Sequence, residues 1–219
     1  MKSSWNIKHW VTPKSALCMK SCNIIWVYLA ILLLSGCVSS TKINQSVDSD
    51  YHQQQLTALT HWKIKGRLAF QSEEEKVSAY MNWHQQNKDF DLQLNTFIGT
   101  SILKMHGEES FAWLEVDDQT FIDNNANELI LQVTGWNIPV ERLALWVKGQ
   151  HTEADNVVFD DFGLVSTLEA KCRKCAPWTL SYSNYKKVEE LWLPHSIQLV
   201  NTQNAMNQIK IKISSWQKL

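Results

Sequence analysis

From His61 to Asn95 the chain alternates with a period of two. Trp62, Ile64, Gly66, Leu68 and Phe70 fall on one face of the first segment, with His61, Lys63, Lys65, Arg67 and Ala69 on the other. Glu73-Glu74-Glu75 fits the turn that follows. Val77, Ala79, Met81 and Trp83 then alternate with Ser78, Tyr80, Asn82 and His84. After a polar loop at Gln85–Lys88, Phe90, Leu92 and Leu94 alternate with Asp89, Asp91, Gln93 and Asn95. Three two-period segments joined by short polar turns predict an antiparallel meander with one buried and one wet face.

Weaker alternation predicts strands at Ser101–Met105, Ser110–Val116 and Thr120–Asp123. A short helix should precede the meander, with Asp50 as N-cap, Gln53 three residues on, and Leu56 and Leu59 on one face. A mid-chain helix should start at the Asn125 cap with Glu128 closing a capping box, carry Leu129 and Val133, and stop at Gly135. Pro139 suits the first position of another helix, which carries Leu143, Trp146 and Val147 and ends at Gly149. Strands return at Leu164–Glu169, Trp178–Tyr185, Leu191–Leu193, Ser196–Val200 and Gln208–Ser215. So many strands cannot lie flat; the sheet must curl, and the mid-chain helices are the natural cover for its open side.

Ahead of this domain the pattern is different. Ile24–Leu34 is an apolar run of about 11 residues, followed by Ser35, Gly36 and Cys37. It is too short for a bilayer, which takes ~20 residues, but it suits a signal peptide. Leu-Ser-Gly-Cys is the pattern of a bacterial lipoprotein leader. Residues 1–36 are therefore read as signal peptide, and Cys37 as the lipidated first residue of the mature chain. Met19 offers an alternative start. Residues 37–50 read as a polar, flexible tether and 51–219 as one domain. Val38, where an Asp commonly retains lipoproteins in the inner membrane, favours the outer membrane.

Charge supports this division. The four lysines before Cys37 meet no acid, whereas the mature part sets 17 Lys and Arg against 22 Asp and Glu. A net acidic domain argues against nucleic-acid binding. Eight of the 11 tryptophans lie beyond the leader, and rigid apolar rings of that kind can wall a lipid pocket.

These pieces, in this order, resemble the LolB family of outer-membrane lipoprotein receptors. They are the Leu34–Cys37 lipobox, Trp62-x-x-x-Gly66-Arg67-Leu68-Ala69-Phe70, Trp83, and Leu92-x-Leu94-x-x-x-Ile98-Gly99. Thr134-Gly135-Trp136-Asn137-Ile138-Pro139-Val140, Leu143-x-x-Trp146-Val147-x-Gly149, Leu193-Pro194 and Ile211-x-Ile213-x-x-Trp216 complete the set. The resemblance implies a mainly β fold: a half-open antiparallel barrel of about 11 strands, covered by helices around an apolar cavity. It implies a monomer, lipid-anchored at the periplasmic face of the outer membrane, with neither catalysis nor cofactor. Its partners would be a LolA-type periplasmic carrier, acylated lipoprotein clients and the inner leaflet.

Alternation then nominates Ile64, Leu68, Met81, Trp83, Leu92 and Leu94 as cavity lining, with Leu143 and Trp146 from the covering helix. Phe97 and Ile98, at the end of the third meander strand, match the family's membrane-entering loop. From the residues alone they are read as tucking back into the sheet; the resemblance reverses that reading.

Other chemistry was weighed against blander readings. Cys172-x-x-Cys175, a departure from the family pattern, suits a small-loop disulfide better than zinc, which lacks two further ligands, or a redox pair, which wants a βαβ turn. The six later histidines are scattered without metal spacing, and most read as surface or turn residues. Asp117-Asp118 and Asp160-Asp161 read as solvated turns rather than calcium sites. Lys63, Lys65 and Arg67 are either a docking surface or a wet strand face. No nucleotide-binding glycine motif occurs. The rival functions are a structural or assembly lipoprotein holding a protein partner, and a lipid-processing enzyme.

Overall fold

The computed structural model describes residues 46–171 and 177–219. The leader with Met19, the lipidation position Cys37, and Cys172 and Cys175 lie outside the described residues.

Helix α1 (Ser49–Ala58) leads into β1 (His61–Gln71), β2 (Lys76–Gln86) and β3 (Asp89–Asn95), then β4 (Ser101–Glu108), β5 (Phe111–Val116) and β6 (Gln119–Asp123). Two helices follow, α2 (Ala126–Thr134) and α3 (Val140–Trp146). The second half holds β7 (Asn156–Phe159), β8 (Val165–Glu169), β9 (Trp178–Ser183), β10 (Lys186–Val188), β11 (Leu191–Leu193), β12 (Ser196–Asn201) and β13 (Gln208–Lys218). Eleven strands form one open antiparallel sheet in the order β6-β5-β4-β3-β2-β1-β13-β12-β9-β8-β7. The chain builds outward from β1 to one edge, crosses by the helices, and returns from the other edge to close beside β1. The remaining pair, β10 and β11, is a separate ribbon.

The alternation of the meander is realised: Trp62, Ile64, Leu68, Phe70, Ala79, Met81, Trp83, Phe90, Leu92 and Leu94 are all buried. Their opposite-parity neighbours line the outer face. At the His61 end, Trp62 packs 5.4 Å from both Trp83 and Trp216 in tilted and edge-on geometry, which suits aromatic quadrupoles. Gly66 permits a bulge there, where the register between β1 and β13 shifts. A Cβ on Gly66 would lie 2.3 Å from the Lys212 carbonyl oxygen, so the two central strands would have to part. Gly66→Ala should therefore cost about 2 kcal/mol, measurable as a melting temperature lower by about 4–8 °C. An unchanged melting temperature would show that the strands yield without loss.

Local expectations needed several corrections. Asp48, not Asp50, caps α1, accepting from the Tyr51 N–H at 2.9 Å. Val47, inside the span read as tether, already donates to the Phe162 carbonyl at 2.7 Å. The β2–β3 loop is shorter than Gln85–Lys88: Gln85 is buried in β2, where its carboxamide accepts from the Trp83 indole at 3.0 Å. Asn125 caps α2 as expected, but its own N–H goes to Asp123 rather than Glu128, because the Asp side chain is two residues away and already in place. Pro139 sits at the cap of α3, one position early. Strands β7 and β10 were not anticipated, and β11 pairs outside the main sheet.

Two histidines are also buried rather than superficial. His52 on α1 is hydrogen-bonded to the Trp192 carbonyl, and His195 to that of Leu193. Burial lowers the pKa of both imidazoles. Buried Lys148 donates to the Leu56 and Leu59 carbonyls at 2.8 and 2.9 Å, satisfying the C-terminus of α1; burial pulls its pKa down to about 8.

Candidate functional site

Two features are unusual for a soluble β-sheet domain: an apolar tip on the β3–β4 hairpin, and open space at the boundary between sheet and helices. The tip is Thr96–Thr100. Thr96 N–H donates to the Thr100 carbonyl at 2.8 Å, Gly99 N–H to the Thr96 carbonyl at 3.1 Å, and Thr100 N–H to the Thr96 hydroxyl at 3.1 Å. Gly99 adopts φ 90°, a conformation that a side chain would strain. The turn is thus internally satisfied, and its apolar side chains project away from the sheet. Phe97 is 85 % exposed and Ile98 72 %. No charged residue occurs from Phe90's neighbour Leu92 through Leu103. An uncharged tip with a fixed backbone and two bare apolar side chains suits an apolar medium better than water.

The eight nominated lining residues all lie in the continuous buried cluster under the helices. Trp146 and Leu143 face the sheet from α3, and Ile64, Leu68, Met81, Trp83, Leu92 and Leu94 face the helices. They are packed among themselves and their neighbours, and the larger open spaces lie beside them. One, of about 740 Å³, separates the β5–β6 hairpin from α2 and is lined by Val116, Phe121, Ile122, Leu129 and Val133 among others. Ile122 there is 66 % exposed on the edge strand. The second, of about 310 Å³, lies under the α2–α3 linker and sets Phe70, Trp136, Ile138 and Trp178 beside the polar Glu73–Glu75 run and Asn201, Asn204 and Asn207. Trp136 stacks on Phe70 with ring centres 4.0 Å apart and donates to Glu75 at 2.7 Å, pinning the linker to the β1–β2 hairpin.

The residues of these mouths were not nominated from sequence. Trp136 and Ile138 stood in a recognised motif, but nothing local marked Phe121 and Ile122, whose strand alternates poorly.

Polar groups gather at the second space, where Glu75 accepts from the Trp136 indole and Glu73 from the Asn204 carboxamide. Most titratable groups with shifted pKa have structural partners, whereas the buried Tyr182 hydroxyl has none among the described residues. Burial pushes the Tyr182 and Tyr185 phenols well up, and Tyr185 donates to the Val165 carbonyl. Partial burial opposes the charged form of His106 on the outer face, but hydrogen bonds to Asp91 (2.8 Å) and Glu108 (3.1 Å) outweigh it and raise its pKa. Asp117 and Asp118 form the β5–β6 turn, both with positive φ, and Asp160 closes a turn by accepting from Phe162 and Leu164.

Residues 60–216 match the family described as outer membrane lipoprotein LolB. The chain belongs to the LolB family. The outer-membrane lipoprotein LolB of Shewanella woodyi is 32% identical over 196 residues, covering 90% of this chain and 89% of that protein. That of Aeromonas salmonicida is 30% identical over 200 residues, covering 88% and 95%. Among solved structures, a LolA superfamily protein from Nitrosomonas europaea superposes with a TM-score of 0.54 at 6% identity, covering 80% of this chain and 94% of that one. The two share the fold, an open sheet with covering helices. Membership in LolB gives the chain a role in outer-membrane lipoprotein localisation; it is not an enzyme. It also supports a LolA-type carrier and lipoprotein clients as the partners of this LolB-family chain.

Proposed function

We propose that the chain accepts lipoproteins from a LolA-type periplasmic carrier, shelters their acyl chains between sheet and helices, and inserts them into the inner leaflet of the outer membrane. It acts as a monomer, tethered at the periplasmic face through acyl chains on Cys37. The observation that carries this reading is the bare Phe97–Ile98 tip on an internally bonded, uncharged loop.

Energetics set what such a protein must do. Each methylene exposed to water costs ~0.8 kcal/mol, so acyl chains must stay covered throughout the transfer. The clefts beside α2 and under the α2–α3 linker, each part apolar and part polar in lining, supply entrances, and the eight inward residues form the wall behind them. A chain enters as α2 and the linker shift outward, exchanging the contacts of the packed interior for its own. The direction of transfer needs only a difference in affinity of ~1–3 kcal/mol between carrier, receptor and membrane, with no nucleotide consumed.

The test is direct. A radiolabelled lipoprotein held by its carrier is mixed with the chain in vesicles. The client should leave the carrier and become vesicle-bound in proportion to the receptor present. A client that stays on the carrier would overturn the reading.

A further inference from the structure

The outer face of the sheet carries a second feature that acyl transfer alone leaves unused. We propose that the basic surface built by β13, β1 and β2 is a docking face for anionic phospholipid headgroups, which holds the receptor against the membrane with its apolar tip pointing inward. The inference rests on the membrane-entering role of that tip for its geometry.

Register places the cations. Lys212 on β13 lies directly opposite Arg67 on β1, and Arg67 opposite Tyr80 on β2. Lys210 lies opposite Ala69, and Lys65 belongs to the same outward row of β1. All four cations are exposed. Like charges facing each other across a ladder destabilise it, yet no carboxylate relieves Lys65, Arg67, Lys210 or Lys212 in an ion pair. Every Asp and Glu of the chain lies within the described residues. Within the neighbouring acidic run, Glu75 is engaged by Trp136 and Glu73 by Asn204. Arg67 is held in place by its bond to the Tyr80 hydroxyl at 3.1 Å and lies 5.0 Å over that ring.

The face also has relief. A groove of about 200 Å³ has the paired small residues Ala69 and Ser78 in it, with Lys76 and Lys210 among its walls. A phosphate group entering it meets two ammonium groups.

Position selects a membrane over an acidic protein. Tyr80 pairs with Asn95, and Asn95 with Ser101, the two residues that flank the apolar loop. The Arg67–Lys212 row is therefore level with the base of the loop, and Lys210 and Lys76 stand beyond it at the same end. The far end of the same face carries Asp91 and Glu108 instead. Positive charge on the strands is thus level with the base of the loop, and the acidic residues at that end, Glu73 to Glu75, sit in the β1–β2 turn beyond the strands.

Lysine acetylation of the full chain, anchored in vesicles with or without phosphatidylglycerol and read residue by residue by mass spectrometry, tests this. With the anionic lipid, Lys65, Lys76, Lys210 and Lys212 should react on the order of tenfold more slowly, and high salt should restore their reactivity. Lys88 and Lys187 serve as unaffected controls. The double variant Lys210→Glu/Lys212→Glu, at two exposed positions, should abolish the protection of Lys65 and Lys76. Equal reactivity in both vesicle types would overturn the proposal, as would protection that arises only when the soluble carrier is added. An Ile98→Glu variant separates the two ideas: it should keep the lysine protection and lose client insertion. Retained insertion would refute the loop and with it the inward-pointing orientation, whereas the lysine protection by itself decides whether the face meets anionic headgroups.

Discussion

Ile98→Glu should leave the chain able to take a lipoprotein from its carrier while reducing delivery into liposomes by roughly thirtyfold. Ile98 is 72 % exposed and makes no core contact that the fold needs, so its replacement belongs with surface changes that alter stability by at most about 0.5 kcal/mol. In an apolar medium the same change is severe. Replacing a favourable aliphatic group by a carboxylate is costly at the bilayer centre, and about 2 kcal/mol near the interface corresponds to that loss of delivery. Ile98→Leu, which keeps the aliphatic surface, should deliver as well as the parent. Acceptance is read by release of client from the carrier, delivery by its flotation with liposomes, and folding by melting temperature. Undiminished delivery by the glutamate variant would remove the loop from the mechanism.

Asp155→Ala should produce the largest loss of stability, about 3–4 kcal/mol. The Asp155 carboxylate is fully buried and accepts from the Arg142 guanidinium at 2.9 and 3.2 Å, from Thr152 N–H and hydroxyl at 2.9 and 2.8 Å, and from Lys171 N–H at 3.0 Å. One side chain thereby ties α3 to the segment before β7 and to the end of β8. Removing it strands Arg142, whose Nε already lacks a partner and whose remaining neighbour is the Trp146 ring at 5.7 Å. The melting temperature should fall by about 10 °C.

Acidity gives an independent check. Burial opposes the Asp155 charge, but the bonds from Thr152 and Lys171 and the nearby Arg142 outweigh it and hold the pKa below the ordinary 3.8. A depressed folded pKa contributes stability that is present above the unfolded value and lost as pH falls through the folded one. The gap between parent and Asp155→Ala should therefore be widest near neutrality and narrow below about pH 4. A gap independent of pH would mean that the carboxylate acts by packing rather than charge.

Much of the first half of this molecule is legible in its sequence because backbone geometry imposes the period. Trp62 to Leu94 alternate since successive side chains on a strand point to opposite faces, and one face must be dry. Asn125 and Gly135 delimit α2 through chemistry confined to one turn of chain. The apolar tip could be found by position, but its exposure could not, since Phe97 and Ile98 had two local solutions. Edge strand β7 escaped notice because little of it is buried; only its pairing with β8 makes it a strand. His52, Lys148 and Asp155 look in the sequence like any other polar residues; the burial of His52 and Lys148 depends on carbonyls far along the chain, and that of Asp155 on how α3 and the end of β8 fold onto it.

By itself, then, the sequence determined the alternating meander, the helix caps near Asn125 and Gly135, the family and the position of the apolar Phe97–Ile98 pair. These depend on local periodicity or on motifs that survive as linear strings. Only the tertiary structure decided that Lys210 and Lys212 stand beside Arg67, that Asp155 clamps α3, and that open space lies at the sheet–helix boundary rather than amid the packed inward residues. Those facts follow from register and long-range packing, in which residues more than a hundred positions apart become neighbours through the pairing of β1 with β13.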